Sequence, residues 1–180
     1  MIKKQIGEIT IEIVQGDITK QPDIDAIVNA ANAYLTAGGG VSGAIHRAAG
    51  PELEKECKKY APIKVGQAVI TKGYNLPNKY VIHCLGPRYG IDKPGDKLLA
   101  DCYINALKLA EENKISSIAF PAISTGIFGY PIEEATKVVF ETIKSVLPKL
   151  RQVKTIRFVL FSAQDYNIYV SFLETLKLED

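Results

Sequence analysis

Two short stretches of this chain carry the small, flexible residues that backbone anion sites are built from. Gly38-Gly39-Gly40-Val41-Ser42-Gly43 follows Asn29-Ala30-Ala31-Asn32, and Ser124-Thr125-Gly126-Ile127-Phe128-Gly129 follows an apolar run ending at Phe120. Glycine lets the backbone approach a ligand closely and adopt positive φ, so successive N–H groups can point at one negative charge. A helix that starts at such a loop adds the positive end of its dipole. Two loops of this kind can hold two phosphates without any lysine. Neither reads as a common nucleotide fingerprint: the first loop carries six residues of glycine-rich spacing without the rest of a dinucleotide-binding unit, and no Gly-Lys-[Ser/Thr] follows either loop. A glycine cluster at a strand–helix junction is also an ordinary tight turn, so each loop alone has two readings.

Polar and aromatic residues near the loops extend the pattern. The carboxamides of Asn29 and Asn32 can donate to and accept from sugar hydroxyls, or equally form turns. Asp17, in Gly16-Asp17-Ile18-Thr19, can accept from a purine amino group or cap a turn. Phe161 can cover a base or belong to the core. Cys57, Cys84 and Cys102 are too widely spaced for a Cys-x-x-Cys site and odd in number for a disulfide framework; they read as small buried hydrophobes. His46 and His83 form no H-E-x-x-H pattern, and His46 reads as packing behind the first loop. The sequence predicts no metal site and no cofactor.

The loops need a scaffold, and the hydrophobic periodicity supplies one. Alternation at Ile9, Ile11 and Ile13 predicts a half-buried strand ending near Gln15, and residues 25–29 form a short buried strand. Ser42 is placed to cap a helix through Ala49, and Pro51 starts another running to about Tyr60. Strands over 68–71 and 80–84 flank the turn-rich Asn75-Leu76-Pro77-Asn78. Residues 96–113 show a helical stripe of Leu99, Cys102, Ala106, Leu109 and Ala110. A strand over 115–120, a helix from Pro131 to before Pro148, a strand over 155–161 and a helix capped by Ser162, with Leu173 and Leu176 inward, complete the chain. This alternation predicts a largely parallel sheet with helices on both faces and an antiparallel edge from the N-terminal strand.

Composition narrows the function classes. At 180 residues, 47% hydrophobic and 23% charged, with no repeat or linker, the chain reads as one domain over residues 1–180. No segment approaches the ~20 apolar residues of a membrane span, and no signal-peptide run opens the chain, which makes the cytoplasm the expected location. The balance of 22 basic and 20 acidic residues argues against a nucleic-acid face. Nothing in the sequence sets an oligomeric state.

Taken together, Gly16-Asp17-Ile18-Thr19, Val28-Asn29-Ala30-Ala31-Asn32, Gly38-Gly39-Gly40-Val41, Ala44 through Gly50, and Pro121 through Gly129 resemble the macro domain family over nearly the whole chain. The run Ile45-His46-Arg47-Ala48-Ala49-Gly50 is most similar to its MacroD-type hydrolase branch. The resemblance implies a three-layer α/β/α sandwich around a mixed, largely parallel sheet. It implies ADP-ribose, or an ADP-ribosylated protein or metabolite, as the partner. In that reading Asp17 accepts from adenine with the Ile18 backbone beside it, and Phe161 lies against the adenosine end. Gly38, Gly39, Gly40 and Val41 line the distal ribose and the adjoining phosphate, while Ser124, Thr125, Gly126, Ile127 and Phe128 wrap the diphosphate. Asn32 meets the distal ribose and Asn29 shapes that end; with Gly40 and Ser42 they form the expected catalytic group.

The branch generally has an aspartate after the loop valine, where this chain has Ser42. The activity implied is hydrolysis of ADP-ribose esters on acidic side chains or of O-acetyl-ADP-ribose. The alternative is a reader that binds ADP-ribose without turnover.

Overall fold

The computed structural model describes residues 1–177. Its order is β1 (Ile2–Ile6), β2 (Ile9–Gln15), β3 (Ala26–Ala30), α1 (Gly40–Ala49), α2 (Pro51–Cys57), β4 (Ala68–Lys72), β5 (Tyr80–Cys84), α3 (Gly95–Glu112), β6 (Ser117–Phe120), α4 (Ile132–Val146), a 3₁₀ turn (Leu147–Lys149), β7 (Thr155–Leu160) and α5 (Ala163–Thr175). The strands form one sheet in the order β1-β2-β7-β6-β3-β5-β4. β2, β7, β6, β3 and β5 are mutually parallel, while β1 and β4 pair antiparallel at the two edges.

Strand alternation sorts the core into two layers. Val28 of β3 and Ile82 of β5 pack with the apolar faces of α3, α4 and α5, around an aromatic cluster that includes Tyr103, Phe120, Phe140, Phe158 and Tyr169. Ile27 and Val81, one residue away on those strands, pack instead with Ile45 and Ala49 of α1 and Leu53 of α2. The result is the three-layer α/β/α sandwich with a mixed, largely parallel sheet.

The edges differ from the expectation. Ile9–Gln15 is an interior strand paired parallel to β7, and the antiparallel N-terminal edge is the preceding β1. Little of β1 is buried apart from Ile6, so its sequence has no apolar alternation to betray it, and its Lys3 and Lys4 suit an exposed edge. The second antiparallel edge, β4, follows from the short link to β5, which is too brief for a crossover.

Helix boundaries shift too. α1 starts at Gly40 behind an N-cap at Gly39, so Ser42 is the third helical residue and not the cap. α2 stops at Cys57 and not near Tyr60. At α5 the expected cap holds, with Ser162 Oγ accepting from the Asp165 N–H at 3.1 Å.

Candidate functional site

Five parallel strands point their carboxyl ends the same way, so the loops after Gln15, Leu160, Phe120, Ala30 and Cys84 share one rim in that order. β3 leads into α1 on one face of the sheet, whereas β6 leads into α4 on the other. The gap between adjacent strands whose connections leave in opposite directions is where open α/β sheets bind ligands. A cleft of about 350 Å³ opens there, within the usual size range of small-molecule sites.

The cleft brings together most of the expected residues: Asn32, Gly38, Gly39, Gly40, Val41 and Ser42 from the first loop, and Ser124, Gly126, Ile127 and Phe128 from the second. Thr125 is half-buried beside the cleft without lining it. Gly40 has φ +56°, a left-handed conformation that a side chain resists, and a Cβ there would meet nothing within 4 Å. The N–H groups of Gly40 and Val41 belong to the first turn of α1, where no intrahelical acceptor exists. In the second loop, Tyr130 N–H donates to Ser124 O at 2.9 Å and Gly129 N–H to Gly126 O at 3.0 Å. Among the described residues, no protein acceptor takes the N–H groups of Thr125, Gly126, Ile127 or Phe128. Two sets of available N–H donors therefore border one cleft.

Gly86 also lines it and was missed by sequence reasoning, and Ala30, Ala31, Ala122 and Ile123, inside the stretches singled out but given no role there, line it too. Their signal was position, since each lies at or just beyond the carboxyl end of a parallel strand. Gly86 is fitted closely: a Cβ there would collide with Ser124 Oγ and come within 2.6 Å of Ile123 Cγ2. The next stretch props the second loop, with Tyr89 N–H donating to Phe128 O at 2.9 Å.

Asp17, Ile18 and Phe161 lie farther along the rim, outside that cleft. Gln15 of β2 is in register with Leu160 of β7, so Asp17 and Phe161 leave neighbouring strand ends. Asp17 Oδ1 accepts from Thr19 Oγ1 at 2.7 Å and Thr19 N–H at 2.9 Å. The Thr19 hydroxyl, then its N–H, hold the Asp17 carboxyl below its ordinary pKa, and Oδ2 keeps no protein partner among the described residues. The loop behind it is fixed by Gln21, whose Nε2 donates to Asp17 O at 2.9 Å while its Oε1 accepts from the buried Arg157 at 2.9 Å. Phe161 is 89% exposed, a large apolar side chain standing in water at the rim. Ile18 packs its side chain in the core, leaving only its backbone for a ligand.

Asn29 requires a correction. It does not line the cleft but sits fully buried beneath α1, where Nδ2 donates to Ser42 Oγ at 3.3 Å and to His83 Nδ1 at 3.1 Å. The Ser42 hydroxyl in turn donates to Thr36 O at 3.1 Å. Asn32 organises its own loop, with Nδ2 donating to Thr36 O at 3.0 Å and Oδ1 accepting from the Tyr34 and Thr36 N–H groups. His46 is buried behind the loop, and burial pushes its pKa down. Among the described residues, no Asp, Glu, His, Cys or Lys side chain lines the cleft, and no cluster of metal-ligating side chains occurs. All three cysteines are free and buried, and burial raises the Cys57 pKa to about 11. No helix among the described residues is long and apolar enough to cross a membrane.

Comparison with known proteins agrees with this geometry. The family model described as Macro domain matches residues 28–139. A macro domain-containing protein of Mesorhizobium japonicum is 49% identical over 168 residues, covering 93% of this chain and 95% of that protein. The human protein named ADP-ribose glycohydrolase MACROD2 is 49% identical over 171 residues, covering 93% of this chain but only 40% of the human protein. A solved structure of a mutant Oceanobacillus iheyensis macrodomain with ADPR superposes with a TM-score of 0.92 at 44% identity, covering 97% of both chains.

Proposed function

This chain belongs to the macro domain family, and on that premise we propose that it binds ADP-ribose and hydrolyses ester linkages to its distal ribose. The observation that carries the reading is the order of the loops along the rim. The exposed Asp17 carboxylate and Phe161 ring leave β2 and β7, the unpartnered N–H groups of 125–128 follow β6, and the Asn32–Ser42 loop follows β3. From β2 to β3 is three strand spacings, about 14 Å. A base, a diphosphate and a second ribose laid in that order meet an amino-group acceptor with an apolar cover, a row of backbone donors, and a polar loop. The solved macrodomain with ADPR, at 44% identity, supports the same ligand.

Hydrolysis draws support from relatives named ADP-ribose glycohydrolase at about half identity. Water would attack the ester on the distal ribose, and loop N–H groups would stabilise the developing negative charge. With no titratable side chain in the cleft, the proton acceptor is a phosphate oxygen of the ligand itself. The same observation favours the second reading, a reader module without turnover, because the Ser42 proton is committed to Thr36 O. Incubation with a mono-ADP-ribosylated protein and with O-acetyl-ADP-ribose separates them. Chromatography should show free ADP-ribose above the uncatalysed rate; tight binding with no release from either substrate assigns the reader.

Two substitutions test the binding mode. Asp17→Ala should weaken ADP-ribose by about 1–3 kcal/mol, the usual cost of losing a charged hydrogen-bond partner. Adenosine, which engages only that end, should bind far more weakly than ADP-ribose to the parent. Equal affinities by calorimetry would remove the diphosphate loop from the account. Gly86→Ala should lower ADP-ribose affinity roughly tenfold, because its Cβ pushes the second loop at Ser124, a loss of about 1.4 kcal/mol. An unchanged dissociation constant would mean that the loop yields without cost.

A further inference from the structure

His83 is fully buried on β5, among side chains that are mostly apolar, and it is not in the cleft. An apolar residue would fill that space without the cost of burying a polar ring. What the ring does is hold one end of a chain of hydrogen bonds. Ser42 donates to Thr36 O, so toward Asn29 its oxygen accepts, and the Asn29 atom facing it is Nδ2. The same Nδ2 reaches His83 Nδ1 at 3.1 Å, so Nδ1 is the accepting nitrogen and Nε2 carries the hydrogen. That Nε2–H faces Thr71 Oγ1 at 2.9 Å, and the Thr71 hydroxyl passes its own proton to Lys72 O at 3.2 Å. Every donor in the series meets an acceptor. Burial holds the His83 pKa down to about 3, so the ring stays neutral at physiological pH.

The far end of the series is functional. Thr36 O receives both the Ser42 hydroxyl and Asn32 Nδ2, so one carbonyl fixes the first turn of α1 and the cleft-lining carboxamide together. We propose that His83 is the positioning residue of the distal-ribose end: through Asn29, Ser42 and Thr36 it sets the shape of the Asn32–Ser42 loop, and with it the preference for a ligand carrying a second ribose. The inference rests on the ADP-ribose reading of the cleft.

The test compares two ligands that differ only beyond the diphosphate. Calorimetry with ADP-ribose and with ADP gives, for each variant, the factor by which ADP-ribose is preferred. His83→Leu removes the acceptor for Asn29 and should cut that factor about tenfold while ADP affinity changes less than about twofold. His83→Asn, whose Oδ1 can take over the Nδ1 role, should restore most of it. Equal weakening of both ligands would make His83 a general packing residue and overturn the proposal, as would an unchanged factor in His83→Leu or no recovery in His83→Asn. If His83→Leu does not fold, Thr71→Val removes the partner that holds His83 Nε2, outside the cleft, and must lower the factor while ADP affinity changes less than about twofold; an unchanged factor there overturns the proposal. A parent that binds ADP-ribose no better than ADP defeats the reading of the cleft itself, whereas a strong parental preference kept by the variants defeats only the role of His83.

Discussion

Gly126→Glu should abolish ADP-ribose binding and leave the melting temperature near that of the parent. A Cβ at Gly126 meets no atom within 4 Å, and the residue does not need the left-handed conformation, so a side chain is accommodated without disturbing the loop. The space it enters is the cleft, beside the N–H groups of Thr125 to Phe128 that no protein acceptor uses. A carboxylate there occupies the place of a phosphate oxygen and repels any phosphate that approaches. Like charges brought together in a binding site cost several kcal/mol. The expected loss is on the order of 10³-fold, about 4 kcal/mol. Gly126→Ala is the control, adding the Cβ without charge, and should keep most of the affinity. If Gly126→Glu binds like the parent at an unchanged melting temperature, the diphosphate lies elsewhere and the loop is only a turn.

Ser42→Asp should raise the rate on an ADP-ribosylated carboxylate, with ADP-ribose affinity equal or lower. The parent cleft holds no side chain able to take a proton from water, and an added carboxylate provides one. A positioned general base is worth ~10²–10⁴-fold. The gain here should be nearer tenfold, because the hydroxyl it replaces donates to Thr36 O and a carboxylate cannot, so the loop must adjust. Asn29 Nδ2 remains available to hold the new side chain, and the first turn of α1 favours negative charge. The added charge lies near the diphosphate, which accounts for the flat or weaker binding. Single-turnover kinetics beside calorimetry separates the two effects. Ser42→Ala removes the hydroxyl without adding a base and should not accelerate the reaction. A Ser42→Asp variant no faster than Ser42→Ala would show that general-base catalysis does not limit turnover in this cleft.

Much of this site was legible in the chain because its signals are local. A loop after a strand, rich in glycine and followed by a helix, states its own geometry: Gly38 to Ser42 and Ser124 to Phe128 needed no knowledge of distant contacts, and both border the cleft. The alternating isoleucines of β2 and the apolar stripe of α3 are equally local, since burial of one face needs only the period. Reading Ser42 as a cap failed for a local reason as well. Serine is a favoured capping residue, but Gly39 already occupies that position with extended backbone, and Ser42 sits within the first turn of the helix.

The order of the loops along the rim, by contrast, depends on which strands pair, and those pairings join residues far apart in the chain, such as Gln15 with Leu160. Only the assembled sheet brings Asp17 beside Phe161, the second glycine loop between that pair and the first, and Gly86 against Ser124. The placement of the two asparagines depends on the sheet in the same way. Asn29 and Asn32 are near neighbours in an apolar stretch, yet strand alternation turns Asn29 under α1 toward His83, 54 residues on, while Asn32 opens onto the cleft. A carboxamide offers two donors and an acceptor to whatever surrounds it, so its residue type carries no direction. The amino-acid sequence alone determined the chemistry of the two loops and the periodic elements that bear them. Which groups face the cleft and which support it from behind was decided by packing, because burial and hydrogen-bond partners belong to the folded arrangement and not to the residue.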